Sequence, residues 1–139
     1  MRTATPRGLA PIATLLEAGV LVAGGGDNVQ DVFHPLGCGD PLQTAALLVQ
    51  AGQLALSTAY RMVSENARAV MGLERNAIAP GATADALAVR GTSLGQVLAT
   101  TTEDRVVIRA GELAERTSVE RVQSTRSPAG RFHDPTGEP

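Results

Sequence analysis

The chain contains no lysine and no tryptophan. Its 139 residues include one tyrosine, two phenylalanines, two histidines and one cysteine. Each shortage excludes something. The twelve basic residues are all arginine, they are scattered, and the net charge is −2. A nucleic-acid partner wants a clustered basic face, so that class drops out. With so few aromatics the core must be aliphatic, built from Leu, Val, Ile and many Ala. Cys38 has no second cysteine to pair with, which fits a reducing cytoplasm. Two His and one Cys cannot complete a zinc site of the usual His/Cys kind within this chain. The longest apolar run, Gly19 to Gly26, falls short of the roughly 18 residues of a membrane span. No apolar stretch that could act as a signal peptide follows Met1 to Arg7. The expectation is a cytoplasmic protein, one domain or part of one, without a membrane or nucleic-acid partner.

What is present begins with a helix. Pro11 suits a first helical turn, because that turn leaves its N–H groups unpaired anyway. Ile12, Leu15 and Leu16 share one helical face, and Gly19 can end it in a left-handed cap. Val20-Leu21-Val22-Ala23 is continuously apolar and predicts a strand buried on both faces, as in parallel sheets. Gly24-Gly25-Gly26-Asp27 follows, then a loop to Gly39 broken by Pro35 and Gly37. Asp40 predicts an N-cap with Pro41 at the first helical position. The stripe Leu42, Ala45, Ala46, Val49 marks that helix, and Gly52 stops it. A second helix is expected over Leu54 to Val63. A third is expected from Ala67 to Met71, capped by Asn66 and ended by Gly72. Beyond Leu73 the pattern turns to strands: Asp85 to Val89, Arg105 to Arg109, and a partner from Glu112 to Ala114 after the Ala110-Gly111 turn, with a helical turn from Ser93 to Ala99. After Val122 the chain is polar, Pro- and Gly-containing, and too poor in apolar residues to order itself.

Asp27 is the most informative residue for chemistry. It stands just past the carboxyl end of the expected strand, where α/β barrels build their active sites. Three glycines before it allow close approach of backbone or ligand. It reads either as a metal-binding, proton-shuttling carboxylate or as a turn Asp capping its own loop. His34, in the same loop, is either a base or ligand, or a solvent-facing side chain. The glycine triplet is no phosphate loop, since no lysine follows and no helix opens there. Cys38, between two glycines, has no nearby cation or helix start to activate it.

Three segments in order resemble the C-terminal third of amidohydrolases, especially the cytosine deaminase-like branch. The first is Arg7 to Pro11, the helix, and Gly19 to Asn28, similar to the approach to the family's last barrel strand and its metal-site Asp. It continues into Asp31-Val32-Phe33-His34-Pro35-Leu36-Gly37, similar to the family's Asp-Pro-aromatic-aromatic-Pro-Leu-Gly substrate loop. The second is Val63 to Leu73. The third is Ile78 to Val89, where the family passes from its barrel into a small β-sandwich. Gly26 stands where relatives often carry Ser or His, and Val32 replaces the loop proline.

The resemblance implies an α/β fold. It would be a C-terminal fragment of a (β/α)8 barrel, the last strand plus following helices, with part of a small β-sandwich. The expected divisions are 1–7 as a disordered start, 8–72 as the barrel-derived segment, 73–115 as the β-sandwich-like segment and 116–139 as a mostly disordered tail. The implied chemistry is hydrolysis of C–N bonds in cyclic amidines or amides, with a divalent metal, zinc or iron, activating water. Asp27 would be the catalytic and metal-binding carboxylate, and Asn28, Asp31, Phe33 and His34 the substrate loop. The family's His-x-His pair, its further His ligands and its catalytic Glu are not in this sequence. A chain of 139 residues cannot supply eight strand–helix units. Three expectations follow. The chain is a fragment inactive alone, or one half of a two-chain enzyme whose partner is an N-terminal barrel-half chain, or a small non-catalytic interaction module, and its exposed strand and helix faces would otherwise be covered in a homo-oligomer.

Overall fold

The computed structural model describes residues 8, 10–100, 104–120 and 122. Most of the tail expected to be disordered therefore lies outside the described residues, as does the start at 1–7. Eight elements follow in chain order: α1 (Ile12–Glu17), α2 (Pro41–Gln50), α3 (Leu56–Val63), α4 (Glu65–Val70), β1 (Ala86–Val89), α5 (Leu94–Thr100), β2 (Arg105–Arg109) and β3 (Glu112–Thr117). The architecture is α/β: a helical unit beside one three-stranded antiparallel sheet, in the order β1-β2-β3.

The helices form where the sequence punctuates them. Asp40 caps α2, its carboxylate accepting the Leu42 N–H at 2.9 Å, and Pro41 opens the helix. The predicted stripe is the buried face, since Leu42, Ala45 and Ala46 are all in the core. They meet Ala59 of α3 and Leu98 of α5, and Val49, Val63, Val89 and Leu94 pack around them. The small side chains of Ala45 and Ala59, both fully buried, let α2 and α3 approach closely.

The sheet follows its hydrophobic runs. β1 pairs with β2 from Ala86↔Ile108 to Val89↔Arg105. β2 and β3 form a hairpin about Ala110 and Gly111, both at positive φ, a conformation suited to two-residue hairpin turns. A bulge at Ala114 shifts the register between Val107↔Glu115 and Ile108↔Leu113. β3 is longer than the sequence suggested, reaching Thr117.

The largest departure is the expected buried strand. Residues 20–28 contain no strand, and Val20 and Leu21 are 47% and 53% exposed. A strand exists only when a neighbour pairs with it, and among the described residues none lies beside this run. α1 runs from Ile12 with Pro11 at its N-cap position and not in the first turn, and Gly19 closes it at φ +75°, with the Gly19 N–H donating to Leu16 O and the Val20 N–H to Leu15 O. The third helix begins at Glu65, not Ala67, and its N-cap position is Ser64. Asn66 therefore lies inside the first turn and is not the cap. The second helix starts two residues late, at Leu56. No helix among the described residues is long and apolar enough to cross a membrane.

Candidate functional site

Asp27 ends an extended run that is fastened to the helical unit at two points. The Gly24 N–H donates to Met62 O at 2.9 Å. The Asn66 side-chain amide donates to Val22 O at 2.9 Å. A Cβ on Gly24 would lie 2.8 Å from Leu48 Cδ1 and 3.3 Å from Val63 Cγ1, so glycine lets this backbone sit against α2 and α3. Gly25 and Gly26 face open space. Asp27 is exposed, and its carboxylate accepts no hydrogen bond from the described residues.

Beyond Asp27 the chain folds into a closed loop from Asn28 to Cys38. Asp31 organises it. One carboxylate oxygen accepts the N–H groups of Phe33, at 2.9 Å, and His34, at 2.8 Å. The other accepts the side-chain amide of Asn28. The His34 N–H holds the Asp31 carboxyl below its ordinary value, with Phe33 and Asn28 adding to this against a smaller cost of desolvation. Two backbone bonds close the loop, Gln30 N–H to Gly37 O and Gly37 N–H to His34 O, both at 3.0 Å. Gly37 is buried there, because a Cβ would meet the Asn28 carbonyl oxygen at 2.1 Å and His34 Nδ1 at 2.9 Å. The loop keeps its polar groups inward and turns Val32 and Phe33 outward, Phe33 being 66% exposed.

The structure thus brings Asn28, Asp31 and His34 together in one loop and sets Asp27 at its entrance. Phe33 lies on the outer side. Asp31 is committed as an acceptor within the loop, whereas Asp27 is open. Among the described residues no three His, Cys, Asp or Glu side chains converge on a point where a metal ion could be held. The described residues do not make a metal centre by themselves. Cys38 is exposed, and its thiol donates to Gln43 Oε1 at 3.0 Å.

Two contacts join residues far apart in the sequence. Arg105 Nη2 donates to the second Asp40 carboxylate oxygen at 2.5 Å, tying β2 to the start of α2. Burial pushes the Asp40 pKa up, but the Arg105 guanidinium and the Leu42 N–H outweigh it and hold the carboxyl below its ordinary value. The partners are 65 positions apart, and no local pattern links them. The Asn66–Val22 contact spans 44 positions. Asparagine's preference for caps pointed to the right neighbourhood there but to the wrong partner.

A sequence model of the amidohydrolase family matches residues 1–122. The chain is 28% identical over 114 residues to N-isopropylammelide isopropyl amidohydrolase of Pseudomonas sp. (strain ADP), an alignment covering 78% of this chain and 28% of that protein. It is 31% identical over 118 residues to pterin deaminase of Rhizobium rhizogenes, covering 83% of this chain and 27% of that protein. The chain therefore spans under a third of the length of either relative. Because the family match runs through both the Asp27 loop and the sheet, the chain belongs to the amidohydrolase family.

Proposed function

We propose that this chain is the C-terminal part of a deaminase-type amidohydrolase of the cytosine deaminase-like branch. The enzyme would hydrolyse C–N bonds in cyclic amidines or amides. The observation that carries this reading is the open Asp27 carboxylate, at the entrance of a closed loop, within the span matched to the family. The names of the two relatives, an amidohydrolase and a deaminase, support the reaction class.

In this reading Asp27 accepts a proton from the attacking water and returns it to the leaving amine as the C–N bond breaks. Gly25 and Gly26 put no side chain beside that carboxylate. Asn28, Phe33 and His34 would belong to the substrate loop, which Asp31 fixes. A divalent metal, zinc or iron, would activate the water. Its His donors would come from a companion barrel-half chain, which would also pair with residues 20–23. The half-exposed Val20 and Leu21 fit such a neighbour.

The test mixes this chain with the N-terminal portion of the pterin deaminase relative and measures ammonia release from cytosine and pterin. Neither part should act alone, the mixture should act, and Asp27→Ala in this chain should abolish that activity. Ammonia release by the isolated chain with added metal would overturn the reading. So would a mixture whose activity survives Asp27→Ala.

A further inference from the structure

Among the described residues the run that carries Asp27 has no strand neighbour, yet it is anchored as if it had one. α3 ends at Val63, and α4 restarts at Glu65 after a break at Ser64, with φ −124° and ψ −93°. The break frees the Met62 carbonyl near the end of α3, and it accepts the Gly24 N–H at 2.9 Å. It also places Asn66 in the first turn of α4, where its side-chain amide reaches the Val22 carbonyl at 2.9 Å. The corner thus offers one acceptor and one donor to alternate residues, as the edge of a neighbouring strand would. Among the described residues these are the hydrogen bonds joining residues 21–26 to the rest of the chain.

Asparagine is a poor helix interior residue, because its amide competes for nearby backbone groups. Here the amide is engaged outside the helix, on a carbonyl five residues before the carboxylate. On the far side of Asp27, Asn28 is fixed by Asp31 and packs its carbonyl against Gly37. Asp27 is therefore held from both ends, with only Gly25 and Gly26 between it and the Gly24 anchor.

We propose that Asn66 is a positioning residue for Asp27. Its side-chain amide substitutes for a strand partner at Val22 and so fixes the approach of the chain to the carboxylate. The proposal rests on the reading of Asp27 as the reacting group. Its test is read without catalysis, so the two fail separately.

The experiment uses the full chain, labelled for NMR, as wild type, Asn66→Ala and Asn66→Asp at pH 7. The aspartate keeps the shape of asparagine but replaces the donor with an acceptor. In wild type, the backbone order parameters of residues 25–27 should lie near the rigid value of about 0.85. In both variants they should fall below about 0.6. Exchange of the Gly24 amide should accelerate roughly ten-fold, the effect of losing one hydrogen bond at a local opening. The amides of α2 and of its C-cap Ala51, whose N–H donates to Leu47 O, should keep their protection and report that the fold is intact. Unchanged order parameters at 25–27 in Asn66→Asp would overturn the proposal. Low values already present in wild type would overturn it equally.

Discussion

The helical unit and the loop segment before it are neighbours in sequence but opposite in physics. α2 and α3, with Leu98 of α5, hold every buried apolar side chain of the described residues: Leu42, Ala45, Ala46, Ala59, Met62 and Leu98. Residues 20–39 bury only Gly37, which has no side chain, yet they hold all of the candidate chemistry. The buried core and the candidate site are thus placed in separate stretches. Under the proposed function, the Asp27 carboxylate stays open to a substrate and the packed scaffold beside it supplies the rigidity.

The comparison can be broken most forcefully in the core. Leu42→Ala should cost about 2–5 kcal/mol, because it removes a buried side chain at the α2–α3–α5 junction and leaves a cavity. Urea denaturation would measure this, and a cost under ~1 kcal/mol would mean that the helices do not share one core. Gly37→Ala should cost about 1–3 kcal/mol, since the new Cβ meets a backbone carbonyl that cannot rotate aside. Gly25→Ala should be neutral or stabilising by about 0.4–1 kcal/mol, because a Cβ there meets nothing. Equal costs at the two glycines would contradict the closed-loop geometry.

Asp40→Ala should cost about 1–2 kcal/mol through the lost cap alone, with the Arg105 link lost as well. The pH dependence has a definite sign. The Asp40 pKa is lowered in the fold from its ordinary 3.8, so its contribution is complete above that value and is lost as pH falls through the folded pKa. Acid titration of the melting temperature should show a shallower fall for Asp40→Ala than for wild type. The smallest global effect is expected for Asp31→Ala. Thermal unfolding should barely move, while the Phe33 and His34 amides, which donate to Asp31, exchange faster. A large drop in melting temperature would show that the loop is part of the core after all.

The fold was legible wherever local chemistry decides. Asp40-Pro41 announced α2, and its 3.6-residue stripe named the buried face. The Ala110-Gly111 pair announced the hairpin. Within the site, sequence order alone placed Asp27 beside the loop of Asn28, Asp31 and His34. Illegible were the partners brought by other parts of the chain. Val20 to Ala23 reads as a strand by hydrophobicity, but a strand also needs a neighbour to bond, and pattern cannot supply one. The loop's closure likewise depended on Gly37 seating against Asn28, which is a matter of three-dimensional fit.

By itself, then, the sequence determined the capped start of α2, the glycine stop of α1, the hairpin and the aliphatic core, because caps, turns and periodicity act within a few residues, whereas α3 and α4 begin at other residues than their local signals mark. Only the tertiary structure decided that Asp40 also binds Arg105, and that Asn66 anchors Val22 and does not cap its helix. Those bonds join groups 65 and 44 positions apart, where distance along the chain says nothing of distance in space. An oxygen or amide left over by a local motif takes whichever partner the packing of the core brings within reach.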